Sequence, residues 1–265
     1  MTRNRANATH AGRVVFVGAG PGDPGMLTAR ATAALAEASL VLADPDVSQA
    51  VQDAIAQAHP GTELAPAGGE PVEVAKAAVA AAKGGSVVVR LVAGDPYTAD
   101  AVVKEVLAVA RTSVPFDVVP GVAVATAVPA YAGVALGSTA VTVDLTSGAD
   151  LAALATATAA TAGTLVLQGT AEELPDAAGR LVEGGLSAST PVVVTIGGSG
   201  TMQKSLQTKL AAVAEKAAGL DAFTGPVVAT VGAAVDKRGR LSGGRAGRCS
   251  AGACSCRAPR TRPAR

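Results

Sequence analysis

A chain of 265 residues that is 49% hydrophobic and 16% charged has room for one large or two modest domains, and it is too apolar to be a disordered polymer. With 2% aromatics and no Trp it lacks the stacked faces of a nucleic-acid platform, and no apolar run nears the roughly 20 residues of a membrane span. Nine of the 22 Lys and Arg residues lie in 237–265, leaving 13 basic against 21 acidic residues before them, a body that attracts neither nucleic acid nor an anionic membrane. The polar opening MTRNRANATHAG carries no apolar stretch of signal-peptide type, so the expected location is the cytoplasm. Cys249, Cys254 and Cys256 all lie in the basic end. A body without Cys suits a reducing compartment, and no metal is expected because a structural zinc needs four ligands in tetrahedral reach.

In chain order, Arg13–Gly18 (RVVFVG) is a β-branched run ending in a Gly/Pro cluster and reads as a buried parallel strand. Leu27–Ala38 spaces Leu and Ala at helical intervals, and Ser39–Ala43 is a second strand. Pro71–Lys83 reads as a helix stopped by Gly84 and Gly85, Ser86–Val92 as a strand, Asp100–Ala110 as a helix, and Phe116–Val119 as a strand stopped by Pro120. Past Gly133 the alternation resumes with a strand at Ala140–Leu145, a helix over Asp150–Thr161 and a strand at Thr164–Gln168. A helix at Glu172–Glu183, a strand at Pro191–Ile196, a helix at Thr208–Ala218 and a strand at Pro226–Val231 follow. This alternation predicts an α/β protein with mostly parallel sheets, divided into halves 13–133 and 134–241. Residues 242–265 have no apolar periodicity and read as a disordered basic tail.

The Gly-rich segment Gly18–Thr28 (GAGPGDPGMLT) leaves the first strand, where a dinucleotide turn would sit. Its spacing rejects that reading, because G-x-G-x-x-G counted from Gly18 needs glycine where Asp23 stands, and Pro21 stiffens the turn. No G-x-x-x-x-G-K-[ST] occurs either. Glycines that merely permit a tight turn are the alternative reading.

GAGPGDPGMLT resembles the opening signature of the tetrapyrrole methylase family, and the likeness continues in order. SLVLADPDVS is similar to the segment that usually reads V-x-Y-D-x-L-V, and VVRLVAGDPY to V-V-R-L-K-G-G-D-P-F. PFDVVPGVAVATAVPAYAGVAL, TLVLQG, TPVVVTIGGSGTMQKS and GPVVATVGAAV resemble the later segments, so the likeness runs from about Arg13 to Leu241. It implies a tetrapyrrole methylase-like fold of two α/β domains, usually a homodimer, with S-adenosylmethionine in the cleft between them and a small-molecule tetrapyrrole as substrate. It further implies C-methylation of uroporphyrinogen III to precorrin-2, on the way to sirohaem and cobalamin. A methylase of the same fold with another acceptor, or a cofactor-binding remnant with little turnover, are the alternatives.

Residue by residue, the resemblance places Pro21 in the loop facing the substrate side and counts it among the cofactor-binding residues. It assigns cofactor contacts to Ala93, Gly94, Asp95, Thr98, Ala123, Val124, Gln168 and Gly200. Asp44 matches the proton acceptor that takes up the proton lost when a pyrrole carbon is methylated. As residues before Pro96 and Pro45, Asp95 and Asp44 also fit turn formers. The chain departs from the family where the Arg/Glu-rich run after G-D-P-F becomes Thr98–Glu105, where H-R after P-L becomes Gly137–Ser138, and where the lysine of a G-K segment has no counterpart near Pro66. Arg90 and Lys104 remain as cations for the substrate's carboxylates, each also readable as a solvated surface charge.

Overall fold

The computed structural model describes residues 12–200, 202–217 and 225–238. The expected tail and the end of the second half at Leu241 lie outside them. The chain forms two five-stranded sheets in sequence.

The first sheet contains β1 (Arg13–Gly18), β2 (Leu40–Ala43), β3 (Glu63–Pro66), β4 (Val87–Val92) and β5 (Phe116–Val119), all parallel, in the order β3-β2-β4-β1-β5. Period-two alternation sends its side chains to two cores, as expected of a parallel sheet covered on both faces. Val14, Phe16 and Val88 pack with α3 (Pro71–Lys83) and α4 (Asp100–Ala110), whereas Val15, Val17 and Val89 pack with α1 (Ala29–Glu37) and α2 (Gln49–Ala58). Local chemistry sets the helix ends. The Thr28 hydroxyl accepts from Ala31 N at the start of α1, the Ser48 hydroxyl accepts from Val51 N at the start of α2, and Pro71 occupies the first position of α3.

The second sheet contains β6 (Ala140–Asp144), β7 (Thr164–Gly169), β8 (Pro191–Ile196), β9 (Lys204–Lys209) and β10 (Val227–Val231), in the order β6-β7-β10-β8-β9. Here only β6 and β7 run parallel; β10 is antiparallel to both β7 and β8, and β9 to β8. The expectation of mostly parallel sheets therefore fails in this half. The link from β8 to β9 is too short for a crossover helix, so the pair closes as a hairpin. For the same reason the helix expected over Thr208–Ala218 begins late: Thr208 and Lys209 pair with Val192 and Pro191 in β9, and the helix α8 occupies Val213–Ala217. Two further helices, α6 (Leu151–Thr161) and α7 (Leu174–Glu183), cover one face of this sheet. Its other face receives α5 (Val124–Tyr131), whose Ala125 and Val128 pack on Val166 and Val228. That helix, on the N-terminal side of the expected division at 133, thus packs on the C-terminal sheet and ties the two halves together.

Candidate functional site

At the carboxyl ends of β1, β4 and β5 the backbone is packed as only glycine permits. A Cβ on Gly121 would stand 2.1 Å from the Gly94 carbonyl oxygen and 2.7 Å from Gly18 Cα. Gly94 has φ +69°, and Gly20 and Gly94 exchange two backbone hydrogen bonds, Gly94 N to Gly20 O at 2.8 Å and Gly20 N to Gly94 O at 3.2 Å. Asp95 fastens this floor: Oδ1 accepts from Tyr97 N and Oδ2 from Gly121 N, both at 2.9 Å. The Pro21–Gly22 loop reaches the other half, since a Cβ on Gly22 would lie 3.3 Å from Gly198 O, and the Ser48 hydroxyl holds that loop by donating to Gly22 O at 2.6 Å.

Above the floor lies a cavity of about 340 Å³ lined from both halves. Ligand clefts form at such strand ends and between domains. Five of the expected cofactor positions line it: Pro21, Ala93, Thr98, Val124 and Gln168. The other four lie around it. Gly94 and Asp95 build the floor, Ala123 precedes α5, and Gly200 closes a turn by donating its N–H to Gly197 O at 3.1 Å. From that turn it is Gly198 that reaches the cavity.

Three acidic residues line the cavity, Asp46 from the loop after β2, Asp144 from the end of β6 and Glu173 from the turn before α7. The described lining residues include no Lys, Arg or His. Asp144 Oδ1 accepts from Thr146 N and its hydroxyl, and Glu173 Oε2 from Thr170 N and its hydroxyl, so each also orders its own loop. Partial burial raises the Asp46 carboxyl above its ordinary value, with further upward pressure from the charges of Asp44 and Asp144. None of these three was among the residues singled out by sequence. For Asp46 a signal was present, because the family pattern V-x-Y-D-x-L-V carries Leu where Asp46 stands.

Asp44 does not line the cavity. Its Oδ2 accepts from Arg90 Nη2 at 2.9 Å, and its Oδ1 accepts from Asp46 N at 3.3 Å. Arg90, expected as a substrate-facing cation or a solvated charge, is neither: it is 3% exposed and grips Glu105 with Nε at 2.7 Å and Nη2 at 2.9 Å. Burial alone would lower the guanidinium's pKa; the bonds to Glu105 and the charges of Glu105 and Asp44 outweigh it and raise the value. Lys104 lines a separate groove with Glu70 and Arg111.

A glycine-floored cleft at parallel-strand ends, with a second α/β half above it and acidic residues in its lining, is the geometry of a binding site for a small organic ligand between two sheets. The profile of the Tetrapyrrole (Corrin/Porphyrin) Methylases matches residues 13–214. Uroporphyrinogen-III C-methyltransferase of a Sinorhizobium species is 31% identical over 251 residues, covering 88% of each chain. Siroheme synthase 2 of Aeromonas hydrophila is 33% identical over 248 residues, 87% of this chain and 51% of its own length, so the chain spans about half of that relative. Among solved structures, the uroporphyrin-III C-methyltransferase of Thermus thermophilus complexed with S-adenosylhomocysteine superposes with a TM-score of 0.72 at 29% identity, over 85% of this chain and 99% of that one. The chain belongs to the tetrapyrrole methylases.

Proposed function

We propose that this chain is an S-adenosylmethionine-dependent methyltransferase that C-methylates uroporphyrinogen III towards precorrin-2. The observation that carries the cofactor part of the reading is a cleft on which five of the expected cofactor positions converge, with three acidic residues and no Lys, Arg or His in its described lining. S-adenosylmethionine fits this lining. Its sulfonium and ammonium groups are cations, and Asp46, Asp144 and Glu173 offer the opposite charge. The apolar walls of Val124, Val128 and Val228 suit a flat ring. When bound, the cofactor supplies an electrophilic methyl, the S–C electron pair remaining on sulfur. The protein's part is alignment and exclusion of water. The glycine floor lets backbone approach the ligand closely, Asp95 keeps the β4 and β5 loops in register, and the Pro21–Gly22 loop meets Gly198 to close the roof. Asp44, two residues before the cavity-lining Asp46, is the proposed proton acceptor, its orientation fixed by Arg90. Gly94, Asp95, Ala123 and Gly200 are proposed to support the cofactor site through the loops they shape. The same reading carries a homodimer acting in the cytoplasm, checked by sedimentation and by cell fractionation.

Calorimetric titration with S-adenosylhomocysteine tests the cofactor site, and methyl transfer to uroporphyrinogen III tests the acceptor. Saturable binding with product formation is expected; no binding overturns the whole reading. Binding without transfer overturns the acceptor alone and leaves a methylase for a less anionic acceptor. One observation favours that second reading. Arg90 is tied to Glu105 and Asp44, and no cationic side chain appears in the described lining to meet a substrate's carboxylates.

A further inference from the structure

Asp46 is an exposed acidic residue on the loop after β2 that lines the cavity. It enters the cavity from the first half, two residues beyond Asp44, and no ion pair or side-chain hydrogen bond engages its carboxylate among the described residues. Its neighbour Asp44 is bound by Arg90, so that guanidinium is not available to neutralise Asp46. Asp144 faces the same space from the second half with Oδ2 unpaired among the described residues, and Glu173 joins it from the turn before α7 with Oε1 likewise unpaired. The cleft thus brings unneutralised carboxylates of both halves around one small volume. Left empty, the two sides repel; a cation between them converts the repulsion into attraction.

We infer that Asp46 is a specificity-determining residue that reads the charge of the sulfur ligand, holding the sulfonium donor more tightly than the neutral thioether left after methyl transfer. The inference rests on the proposed cofactor site and deepens it. Donor and product share their adenosine, carboxylate and ammonium groups and differ by one methyl and one positive charge. A carboxylate that sits beside the sulfur acts on the difference between them and little on what they share, and the inference assigns that place to Asp46. Transfer of the methyl removes the counter-charge of Asp46 and leaves it facing the charges of Asp44 and Asp144. Asp46 touches no bond made or broken in the reaction, so its signature is a binding ratio.

The test is calorimetric titration of the full chain and of Asp46→Asn with three ligands: S-adenosylmethionine, S-adenosylhomocysteine, and sinefungin, which carries an ammonium in place of the methylated sulfonium. The parent chain is expected to bind both cations more tightly than the thioether. In Asp46→Asn the affinity for both cations should fall by about tenfold while that for S-adenosylhomocysteine stays within about twofold, as expected for losing one partly screened charge contact. Asp46→Leu, which removes the charge without leaving an amide, should do the same if the effect is one of charge. Equal changes for all three ligands, or none, overturn the inference and leave the cofactor site standing. A parent chain that binds none of the three overturns the proposed function, and the inference falls with it. Sinefungin separates charge from methyl contact: if only S-adenosylmethionine weakens in the variants, the residue senses the methyl and the inference is wrong.

Discussion

The two halves of the molecule meet the cavity in different ways. Below it, the first half is a parallel sheet buried on both faces and locked by charge: Arg90 sits in mid-strand with carboxylates on either side, nearly closed to solvent. The second half is a mixed sheet whose described buried polar residues are neutral hydroxyls, Thr158, Thr164, Thr195, Ser199 and Thr230. Two of its carboxylates, Asp144 and Glu173, line the cavity instead. The first half buries an ion-pair cluster beneath the floor and lends only Asp46 to the cavity, whereas the second half has no charged residue among its described buried ones and lends the cavity two carboxylates. If that contrast holds, charge removal should be severe below the floor and mild above it.

The largest effect is expected from Glu105→Ala. It leaves the Arg90 guanidinium buried with Asp44 alone, and breaking a buried pair from one side costs about 3–5 kcal/mol. Glu173→Ala, which removes a carboxylate that bonds only its own exposed turn, should lose under about 1 kcal/mol. Urea unfolding of both variants measures the difference; equal losses would dissolve the contrast. A smaller effect separates two glycines. Gly121→Ala drives a Cβ into backbone atoms of Gly94 and Gly18 and should destabilise by about 1–3 kcal/mol while weakening cofactor binding. In Gly200→Ala the new Cβ finds only Gly197 O, at 3.4 Å, so stability should change by no more than about 0.5 kcal/mol.

The same contrast explains what was legible in the sequence. β1, α3, α4, β5 and β8 begin and end where Pro, Gly and apolar periodicity place them, because a doubly buried strand or an amphipathic helix writes its pattern into every residue. Helix α5 carries Pro129 within an Ala- and Val-rich stretch and shows no polar face, so tertiary packing on Val166 and Val228 had to supply the pattern. β3 has two residues at each end of its short span that are exposed or half-buried, too little alternation to announce a strand. β9 is an edge strand of mainly polar residues, paired only to β8, and its sequence reads as readily as the start of a helix. Of the residues the resemblance names on the Gly-rich and G-D-P loops, Pro21, Ala93 and Thr98 line the cavity. The resemblance passed over Asp46 and Asp144, whose importance lies in facing each other across a gap that no local pattern encodes. Arg90 was misread because a charged residue in a strand gives no hint of which carboxylates will enclose it.

Helix caps test whether the halves are equally dependent on local chemistry. Thr28→Ala removes the acceptor for Ala31 N in the first half, and Asp150→Ala removes an oxygen that accepts from both Ala152 N and Ala153 N in the second. Each should lose about 1 kcal/mol in thermal or urea unfolding. A loss confined to Asp150→Ala would show that α1 is held by its packing on the doubly buried sheet rather than by its cap.

The smallest and most specific effect concerns pH. The folded Asp46 carboxyl lies above its ordinary value of 3.8, because burial and the charges of Asp44 and Asp144 disfavour its ionised form. In the window between the ordinary and the raised value the folded chain binds more protons than the unfolded one, so this group's contribution to stability falls as pH rises through it. Above the window the unfavourable charge is fully present; below the ordinary value it is absent. Asp46→Asn should therefore melt above the parent at neutral pH, and the gap should close as the pH is lowered through the window. Saturation with S-adenosylmethionine should narrow the gap at neutral pH from the other side, because the ligand's charge offsets in the parent what the substitution removes in the variant. A gap that is the same at every pH, with and without ligand, would mean that Asp46 acts through the shape of its loop, and the electrostatic contrast between the two halves would then stop short of the cavity.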